Sequence, residues 1–123
     1  MKLPEFETLD LSCDARGVLT VALNRPEKRN ALSGQMIADL FEFVQTVSAM
    51  DAVRVVVLRG CGRVFCAGGD LEWMKAQIAA DRAGRMAEAH KLAQMLKQLN
   101  TLPKPLIGVL QGGASGGGVG LAA

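Results

Sequence analysis

The chain has 123 residues, of which 50% are apolar and 21% are charged, and its 14 basic and 12 acidic side chains give a net charge of +2. This length suits a single domain, and this composition excludes a disordered chain. The mixed charges provide no basic face for nucleic acid, and no apolar run approaches the ~18 residues of a membrane span. We therefore expect neither nucleic acid nor a membrane as a partner.

The cysteines and the single histidine argue against a metal centre. Cys13, Cys61 and Cys66 lack the spacing of a zinc site, and His90 is the only histidine. No apolar segment follows Lys2, so the first residues do not resemble a secretory signal. We expect reduced thiols, a cytoplasmic location and no bound metal.

Three apolar runs predict β-strands. Residues 18–23 and 53–58 are rich in valine and leucine, and residues 106–110 form a shorter run. The second run is nearly all apolar, which is typical of strands in parallel sheets covered on both faces. Helical segments separate the runs, so the sequence favours an α/β fold with parallel crossovers.

Helices are predicted after Ser33, over 71–78 and over 82–99, and another begins near residue 119. Apolar side chains recur at helical spacing in the two longer helices and are expected to be buried. In the first they are Met36, Ile37, Leu40, Phe41, Val44 and Val47, and in the helix over 82–99 they are Met86, Ala89, Ala93, Leu96 and Leu99.

Two glycine-rich turns share one pattern, in which a strand leads into the turn and a helix begins after it. The turns are residues 67–70 and residues 112–118. Such turns expose peptide N–H groups at the positive end of a helix, and glycine lets a ligand approach the main chain. Both turns follow the carboxyl ends of strands, where α/β proteins bind ligands, so together they can hold one oxyanion. Either turn alone can instead be only a tight connection.

The second turn allows other interpretations. It is not a P-loop, because no Gly-Lys-Ser or Gly-Lys-Thr closes it. Gly113, Ser115 and Gly117 match the spacing of a nucleophile elbow. In that case Ser115 is the nucleophile of an acyl-transfer hydrolase and His90 is its only candidate base.

Four short motifs occur in a specific order along nearly the whole chain. They are Asn-Arg-Pro at 24–26 with Asn-Ala-Leu at 30–32, Phe-Cys-Ala-Gly-Gly-Asp-Leu at 65–71, Lys-Pro at 104–105 with Gln-Gly at 111–112, and Gly-Gly-Gly at 116–118. Together they resemble the signatures of the crotonase superfamily, the enoyl-CoA hydratase/isomerase family. The resemblance implies an α/β fold built as a spiral of ββα units. Residues 1–123 then form the N-terminal part of one acyl-CoA-binding domain, which stops within its last helix.

The resemblance also implies the chemistry of the site. Members of this family bind an acyl-CoA thioester as substrate without a cofactor, and they stabilise its enolate with two peptide N–H groups. By motif position, Gly69 and Gly117 carry these N–H groups. The residues implied to contact the acyl-CoA are Lys28, Ala67, Gly68, Gly69, Asp70 and Leu71.

Several of these side chains have a second interpretation. Ala67 and Leu71 are expected to line the passage for the pantetheine and acyl groups. Lys28 is available to the phosphates or adenine of CoA, with a solvated surface lysine as the alternative. Asp70 is expected to cap the helix that starts at Leu71 rather than to move protons. The remaining expectations are that Cys66 is a buried filler, that Glu72 and Glu88 are solvated surface charges and His90 a surface histidine, and that Trp73 and Met74 either wall the acyl pocket or pack in the core.

The sequence departs from the family pattern in two places. Many hydratases of the family carry a glutamate two residues after the triple glycine, where this chain has Gly120. Members with glycine there resemble hydratases of branched, carboxylated enoyl-CoAs such as methylglutaconyl-CoA. The other catalytic carboxylate of the family would lie beyond residue 123, so we expect this chain alone to be inactive.

The favoured function is hydration of an α,β-unsaturated acyl-CoA. The alternatives are an enoyl-CoA isomerase of the same fold, a non-catalytic acyl-CoA binder or inactive fragment, and the hydrolase that uses Ser115. Because members of the family form trimers or hexamers, the full-length protein is expected to be a homo-oligomer.

Overall fold

The computed structural model describes residues 2–114 together with Gly118 and Leu121. Its elements follow one another as strands and helices, with a short 3-10 turn at Pro26–Lys28 after the second strand. The elements of the described residues are β1 (Leu9–Cys13), β2 (Val18–Leu23), α1 (Gly34–Ser48), β3 (Val55–Gly60), α2 (Leu71–Ala79), α3 (Arg82–Asn100) and β4 (Leu106–Gly108).

The four strands form one sheet in the order β1-β2-β3-β4. β2 pairs with β3 and β3 with β4 in parallel, with Val21 opposite Leu58 and Leu58 opposite Gly108. α1 makes the first crossover, and α2 with α3 makes the second. The predicted parallel α/β alternation is therefore confirmed. The carboxyl ends of β2 and β3 lie side by side, which brings together the segments that follow them.

β1 is an element that the sequence did not predict. It pairs antiparallel with β2, so that Leu9 lies opposite Leu23 and Cys13 opposite Leu19. Asp10 and Ser12 interrupt its apolar character, because alternate residues of an edge strand face away from the core. The pairing with β2, and not the composition of residues 9–13, therefore determines that this segment is a strand.

The core lies between one face of the sheet and the helices α1 and α3. Burying one large apolar side chain contributes about 1.5–3 kcal/mol, so these contacts dominate the stability of the fold. The fully buried members include Leu19, Val21 and Leu23 of β2, Val56 of β3, Met36, Leu40, Phe43 and Val47 of α1, and Met95 of α3.

Two predicted helix faces are partly wrong. In α1, Phe43 is fully buried while Phe41 is 37% exposed, so the second aromatic ring faces the sheet. In α3, Met86 is 61% exposed, and the buried residues of this helix are Met95 and Leu99. α3 packs on α1 through its C-terminal half, where Gln45 and Gln98 also form a hydrogen bond, so the periodicity of its first half does not mark a buried face.

The predicted bounds of two strands also shift. β3 begins at Val55 because residues 50–53 form a turn, closed by a hydrogen bond from the Val53 N–H to the Met50 carbonyl. The Lys104 ammonium donates to both the Met50 and the Val53 carbonyl at 2.6 Å, which fixes this turn. β4 ends at Gly108 rather than at residue 110. None of the described helices combines the length and the apolar character that crossing a membrane requires.

Candidate active site

Gly69 lies in a short bridge between the segments that follow β2 and β3. The Leu32 N–H donates to the Gly68 carbonyl at 2.6 Å, and the Asp70 N–H donates to the Leu32 carbonyl at 2.8 Å. These bonds use the groups on either side of Gly69, so the peptide N–H of Gly69 itself points away from Leu32. Within the described residues, no acceptor receives a hydrogen bond from this N–H. The turn therefore presents a peptide donor with no partner in this part of the chain.

The turn needs a glycine at position 68. Gly68 is buried and has φ = 99°, a conformation that residues with a side chain rarely adopt. Just before it, the Ala67 N–H donates to the Arg29 carbonyl at 3.0 Å. The segment after β3 is therefore fastened to the segment after β2 on both sides of Gly68, which fixes the orientation of the Gly69 peptide.

Asp70 closes the turn and begins α2. Its Oδ1 accepts a hydrogen bond from the Trp73 N–H at 3.0 Å, and its Oδ2 accepts one from the Arg25 guanidinium at 3.0 Å. The Trp73 N–H and then Arg25 hold the pKa of this carboxyl below its usual range. The predicted capping role is confirmed, and the positive end of α2 lies next to Gly69.

The interactions of the ionised Asp70 carboxylate with Arg25 and the Trp73 N–H stabilise the fold, and this stabilisation depends on pH. Because the folded pKa of Asp70 lies below the ordinary value near 4, that contribution is complete above about pH 4 and is lost as pH falls toward the folded pKa. Asp70→Asn keeps a capping side chain and removes the charge that pairs with Arg25. We expect wild type to have the higher melting temperature at pH 7 and the difference to shrink below pH 4. A difference that stays constant down to pH 3 would contradict this assignment.

The second glycine-rich turn begins beside the first. Cys66 and Ala114 form a parallel bridge, and the Phe65 N–H donates to the Gly113 carbonyl at 3.1 Å. Gly118 is buried and helical, and a Cβ on it would overlap the Cys66 carbonyl oxygen. The chain after β4 therefore passes directly against the chain after β3. Gly117, Ser115 and Gly120 lie outside the described residues.

The packing of Gly118 predicts different effects for two glycines of the same run. Gly118→Ala places a methyl group on the backbone of Cys66, which cannot move without shifting the first turn, and we expect it to cost about 1–3 kcal/mol of stability. Gly113→Ala is the matched control, because a Cβ there meets nothing within 4 Å. Urea unfolding of both variants checks the difference. Equal stabilities would show that the two turns do not pack as described.

Apolar side chains surround the Gly69 peptide. A Cβ built on Gly69 would lie 3.1 Å from the Met74 sulfur and 3.8 Å from the Trp73 ring. α2 also leaves Leu71 71% exposed and Ile78 80% exposed. A groove of about 360 Å³ runs between α2 and α3, with Trp73, Gln77, Leu92 and Leu96 among its lining residues. Trp73 is therefore shared between the surroundings of Gly69 and this groove.

Trp73 both packs in the protein and lies beside the candidate site. It is half-buried against the core, and its indole N–H donates to the Glu88 carboxylate at 3.3 Å. Lys91 donates to the same carboxylate at 2.8 Å. The hydrogen bond from Lys91 and then that from Trp73 lower the pKa of Glu88. Glu88 is therefore only partly the solvated surface charge that was predicted, because its side chain is 28% exposed and its carboxylate links α2 to α3. Glu72, in contrast, is exposed, as predicted.

Of the other predicted residues, three are exposed and one is buried. Lys28 is exposed at the end of the 3-10 turn. The next residue, Arg29, accepts the hydrogen bond from the Ala67 N–H. Ala67 is exposed, and His90 lies exposed on α3 as predicted. Cys66 is fully buried, its thiol donates to the Asn30 carbonyl at 3.1 Å, and burial raises the pKa of this thiol. The filler role of Cys66 is confirmed.

Two residues of the site, Arg25 and Asn30, belong to the first sequence motif, which does not reveal their contacts. The Asn30 amide is fully buried and donates to the carbonyls of Cys61, Val64 and Phe65 at 2.8–3.1 Å. Its side-chain oxygen accepts the Arg25 N–H at 2.9 Å. One sequence signal was available, since asparagine tolerates the left-handed backbone (φ = 56°) found here.

An α/β sheet with two glycine-rich turns at the carboxyl ends of its strands defines the class of this protein, and comparison with known proteins gives the family. The family model described as enoyl-CoA hydratase/isomerase matches residues 18–123. The chain therefore belongs to the enoyl-CoA hydratase/isomerase family. The crystal structure of an enoyl-CoA hydratase from Shewanella pealeana superposes with a TM-score of 0.91 at 32% identity, over 95% of this chain and 44% of that one. This confirms the predicted crotonase fold.

Curated relatives include both kinds of enzyme in the family name. A protein named probable enoyl-CoA hydratase from Mycobacterium leprae is 44% identical over 88% of this chain. The mouse mitochondrial Δ(3,5)-Δ(2,4)-dienoyl-CoA isomerase is 35% identical over 94% of it, and the Escherichia coli 1,2-epoxyphenylacetyl-CoA isomerase is 35% identical over 91%. The chain spans 42%, 38% and 43% of these relatives, respectively, which is less than half of each.

Proposed function

We propose that the protein binds the CoA thioester of an unsaturated acyl group and stabilises its enolate form with the peptide N–H groups of Gly69 and Gly117. The observation that carries this proposal is the Gly69 N–H, which has no acceptor within the described residues and points away from the bridge that holds it. A thioester carbonyl that gains an electron pair becomes an oxyanion. Fixed donors aimed at that oxygen lower the barrier, because they bind it most tightly in the transition state.

The choice of Gly117 as the second donor is supported by the bridge that brings the two turns together. Cys66 and Ala114 are paired in parallel, and Gly69 and Gly117 each follow their bridged residue by three positions. Gly118, the residue after Gly117, packs against the backbone of Cys66, so the two turns also contact each other there.

Hydration is the reaction we favour. Water adds its oxygen to the β-carbon, the π-electron pair moves toward the thioester oxygen, and the α-carbon then takes up a proton. Water and the unsaturated thioester thus yield a 3-hydroxyacyl thioester with no other reactant. Asp70 is held by Arg25 and the Trp73 N–H as a helix cap, so we propose that the acid/base carboxylate lies beyond residue 123.

The surroundings of Gly69 supply the remaining contacts of this proposal. Ala67 and Leu71 are exposed on either side of the Gly68–Gly69 turn and can line the passage of the pantetheine and acyl groups. The apolar groove between α2 and α3 can take the end of the acyl group. Lys28 is the candidate cation for the CoA phosphates, because it is exposed on the neighbouring segment.

Isomerisation of an enoyl-CoA is the second candidate, supported by the two isomerases among the relatives. It uses the same enolate and the same pair of N–H donors, and differs only in moving a proton between carbons instead of adding water. We further propose a homo-oligomer, a trimer or a hexamer, for the protein that contains this chain. The exposed apolar residues Leu71, Ile78 and Ile107 support self-association.

Product analysis separates these functions. We expect the protein that contains residues 1–123 to convert a 2-enoyl-CoA into a thioester one water heavier, as measured by mass spectrometry. A product of unchanged mass with a shifted double bond identifies the isomerase, and saturable binding without turnover identifies a non-catalytic binder. Release of free CoA that stops in a Ser115→Ala variant would instead establish the hydrolase and contradict the proposal.

A further inference from the structure

We propose that Arg25 is a positioning residue for the Gly69 N–H, because its guanidinium ties together the two segments of the bridge in which Gly69 lies. The inference rests on the proposed function of the Gly69 peptide. It assigns to Arg25 no contact with the substrate.

The guanidinium spans the bridge. One of its nitrogens, Nη1, donates to the Ala31 carbonyl at 2.6 Å, and the other, Nη2, donates to the Asp70 carboxylate at 3.0 Å. The bridged residues are Leu32 and Gly69. Ala31 directly precedes Leu32, and Asp70 directly follows Gly69. A single planar group thus joins both segments, one residue away from the bridged pair on each side.

Low exposure strengthens this link. The Arg25 side chain is 18% exposed and that of Asp70 is 9% exposed. Water and salt therefore screen the pair less than they screen a surface ion pair, and charge-assisted hydrogen bonds are about twice as strong as neutral ones. The position of the Gly69 peptide consequently depends on Arg25 in addition to the two backbone hydrogen bonds of the bridge.

The backbone of Arg25 is itself fixed. Its N–H donates to the side-chain oxygen of Asn30 at 2.9 Å, and its carbonyl accepts the Lys28 and Asn30 N–H groups at 2.9 and 2.8 Å. The guanidinium is therefore attached to the end of β2 and not to a mobile loop. Lysine cannot replace it fully, because a single ammonium does not present two parallel donors of fixed spacing.

Loss of Arg25 should affect turnover more than substrate affinity. Asp70 would still cap α2 through the Trp73 N–H, so the helix remains. The Gly69 N–H would, however, lose part of its fixed orientation, and a misaligned donor matters most when charge develops on the oxygen. We expect kcat to fall by about 10-fold or more in Arg25→Met, with KM changed by less than about threefold.

The test compares three variants of the protein that contains this chain. Arg25→Met removes both donors, Arg25→Lys keeps the charge, and Arg16→Met is the matched control. Arg16 forms an exposed ion pair with Asp14 at 2.7 Å, at the opposite end of β2. For each variant, kcat, KM and melting temperature are measured. Infrared spectroscopy then records the carbonyl stretch of a bound thioester labelled with ¹³C at C1, because hydrogen bonds to this oxygen lower that frequency.

The outcomes separate this inference from the proposed function. If the carbonyl frequency of the thioester bound to wild type equals that of the free thioester in solution, the Gly69 donor itself is refuted. The positioning role is supported if the frequency is lowered in wild type and in Arg16→Met. The lowering should then be lost in Arg25→Met and partly restored in Arg25→Lys. A frequency and a kcat in Arg25→Met equal to those of wild type would overturn it and leave the proposed function intact. If Arg25→Met does not fold, the kcat and carbonyl frequency of Arg25→Lys decide between these outcomes. A kcat that falls only in step with the melting temperature would overturn the positioning role and indicate a structural role alone.

Discussion

Gly69→Pro should lower kcat/KM of the protein that contains this chain by about 10²–10³-fold, because proline has no peptide N–H to donate to the developing oxyanion. Gly69 is suited to this test, since the bridge to Leu32 uses only the groups that flank it. Removing its N–H breaks no hydrogen bond between described residues. The expected loss is therefore one of transition-state stabilisation and not of the fold.

Gly69→Ala is the matched control for this variant. It keeps the N–H and adds a methyl group 3.1 Å from the sulfur of Met74, a flexible side chain that is 46% exposed and can move aside. We expect it to retain most of the activity. An amide-to-ester replacement at Gly69 removes the N–H without adding a ring and should match the proline variant. Equal activity of Gly69→Pro and Gly69→Ala would show that the N–H has no catalytic role.

Asn30→Ala should cost at least about 3 kcal/mol of stability, the largest loss that we expect from a polar residue of this chain. Its amide nitrogen donates to the carbonyls of Cys61, Val64 and Phe65, and its oxygen accepts the Arg25 N–H. Truncation leaves these groups without that partner, around a side chain that is fully buried. It also places alanine in a left-handed conformation, which adds further strain.

Urea denaturation of the variants measures this loss. Asn100→Ala is the matched control, because Asn100 is exposed at the end of α3, and its effect should stay within about 0.5 kcal/mol. Asn30→Asp should be as damaging as Asn30→Ala or worse, since a carboxylate would face three carbonyl oxygens in place of a donor. A loss below about 1 kcal/mol in Asn30→Ala would show that the loop after β3 is held by other contacts.

The elements that the sequence predicts well are those whose own residues determine them. β2 has the predicted bounds, and α1 begins where the Ser33 side chain accepts the Met36 N–H at 3.1 Å. The antiparallel β1 escaped prediction because its pairing partner defines it. The buried face of α3 was mistaken because only its second half meets α1, and the spacing of apolar residues does not tell which half has a neighbour.

The residues of the candidate site also divide into those that the sequence indicates and those that it does not. Glycine spacing and motif order indicated Gly69, and the requirement for φ = 99° explains the glycine before it. The roles of Arg25 and Asn30 depend on contacts with residues up to 45 positions away, so no local pattern could predict them. The partly buried position of Glu88 was missed for a similar reason, because its partner, Trp73, belongs to another helix.

A crystal structure of the protein that contains this chain, with a non-reactive acyl-CoA thioester bound, would test the central claim most directly. The decisive quantities are the distances from the thioester oxygen to the peptide nitrogens of Gly69 and Gly117. We predict both to be about 2.7–3.1 Å, with the two N–H groups directed at the same oxygen. A thioester oxygen bound elsewhere, or one that contacts neither nitrogen, would contradict the account.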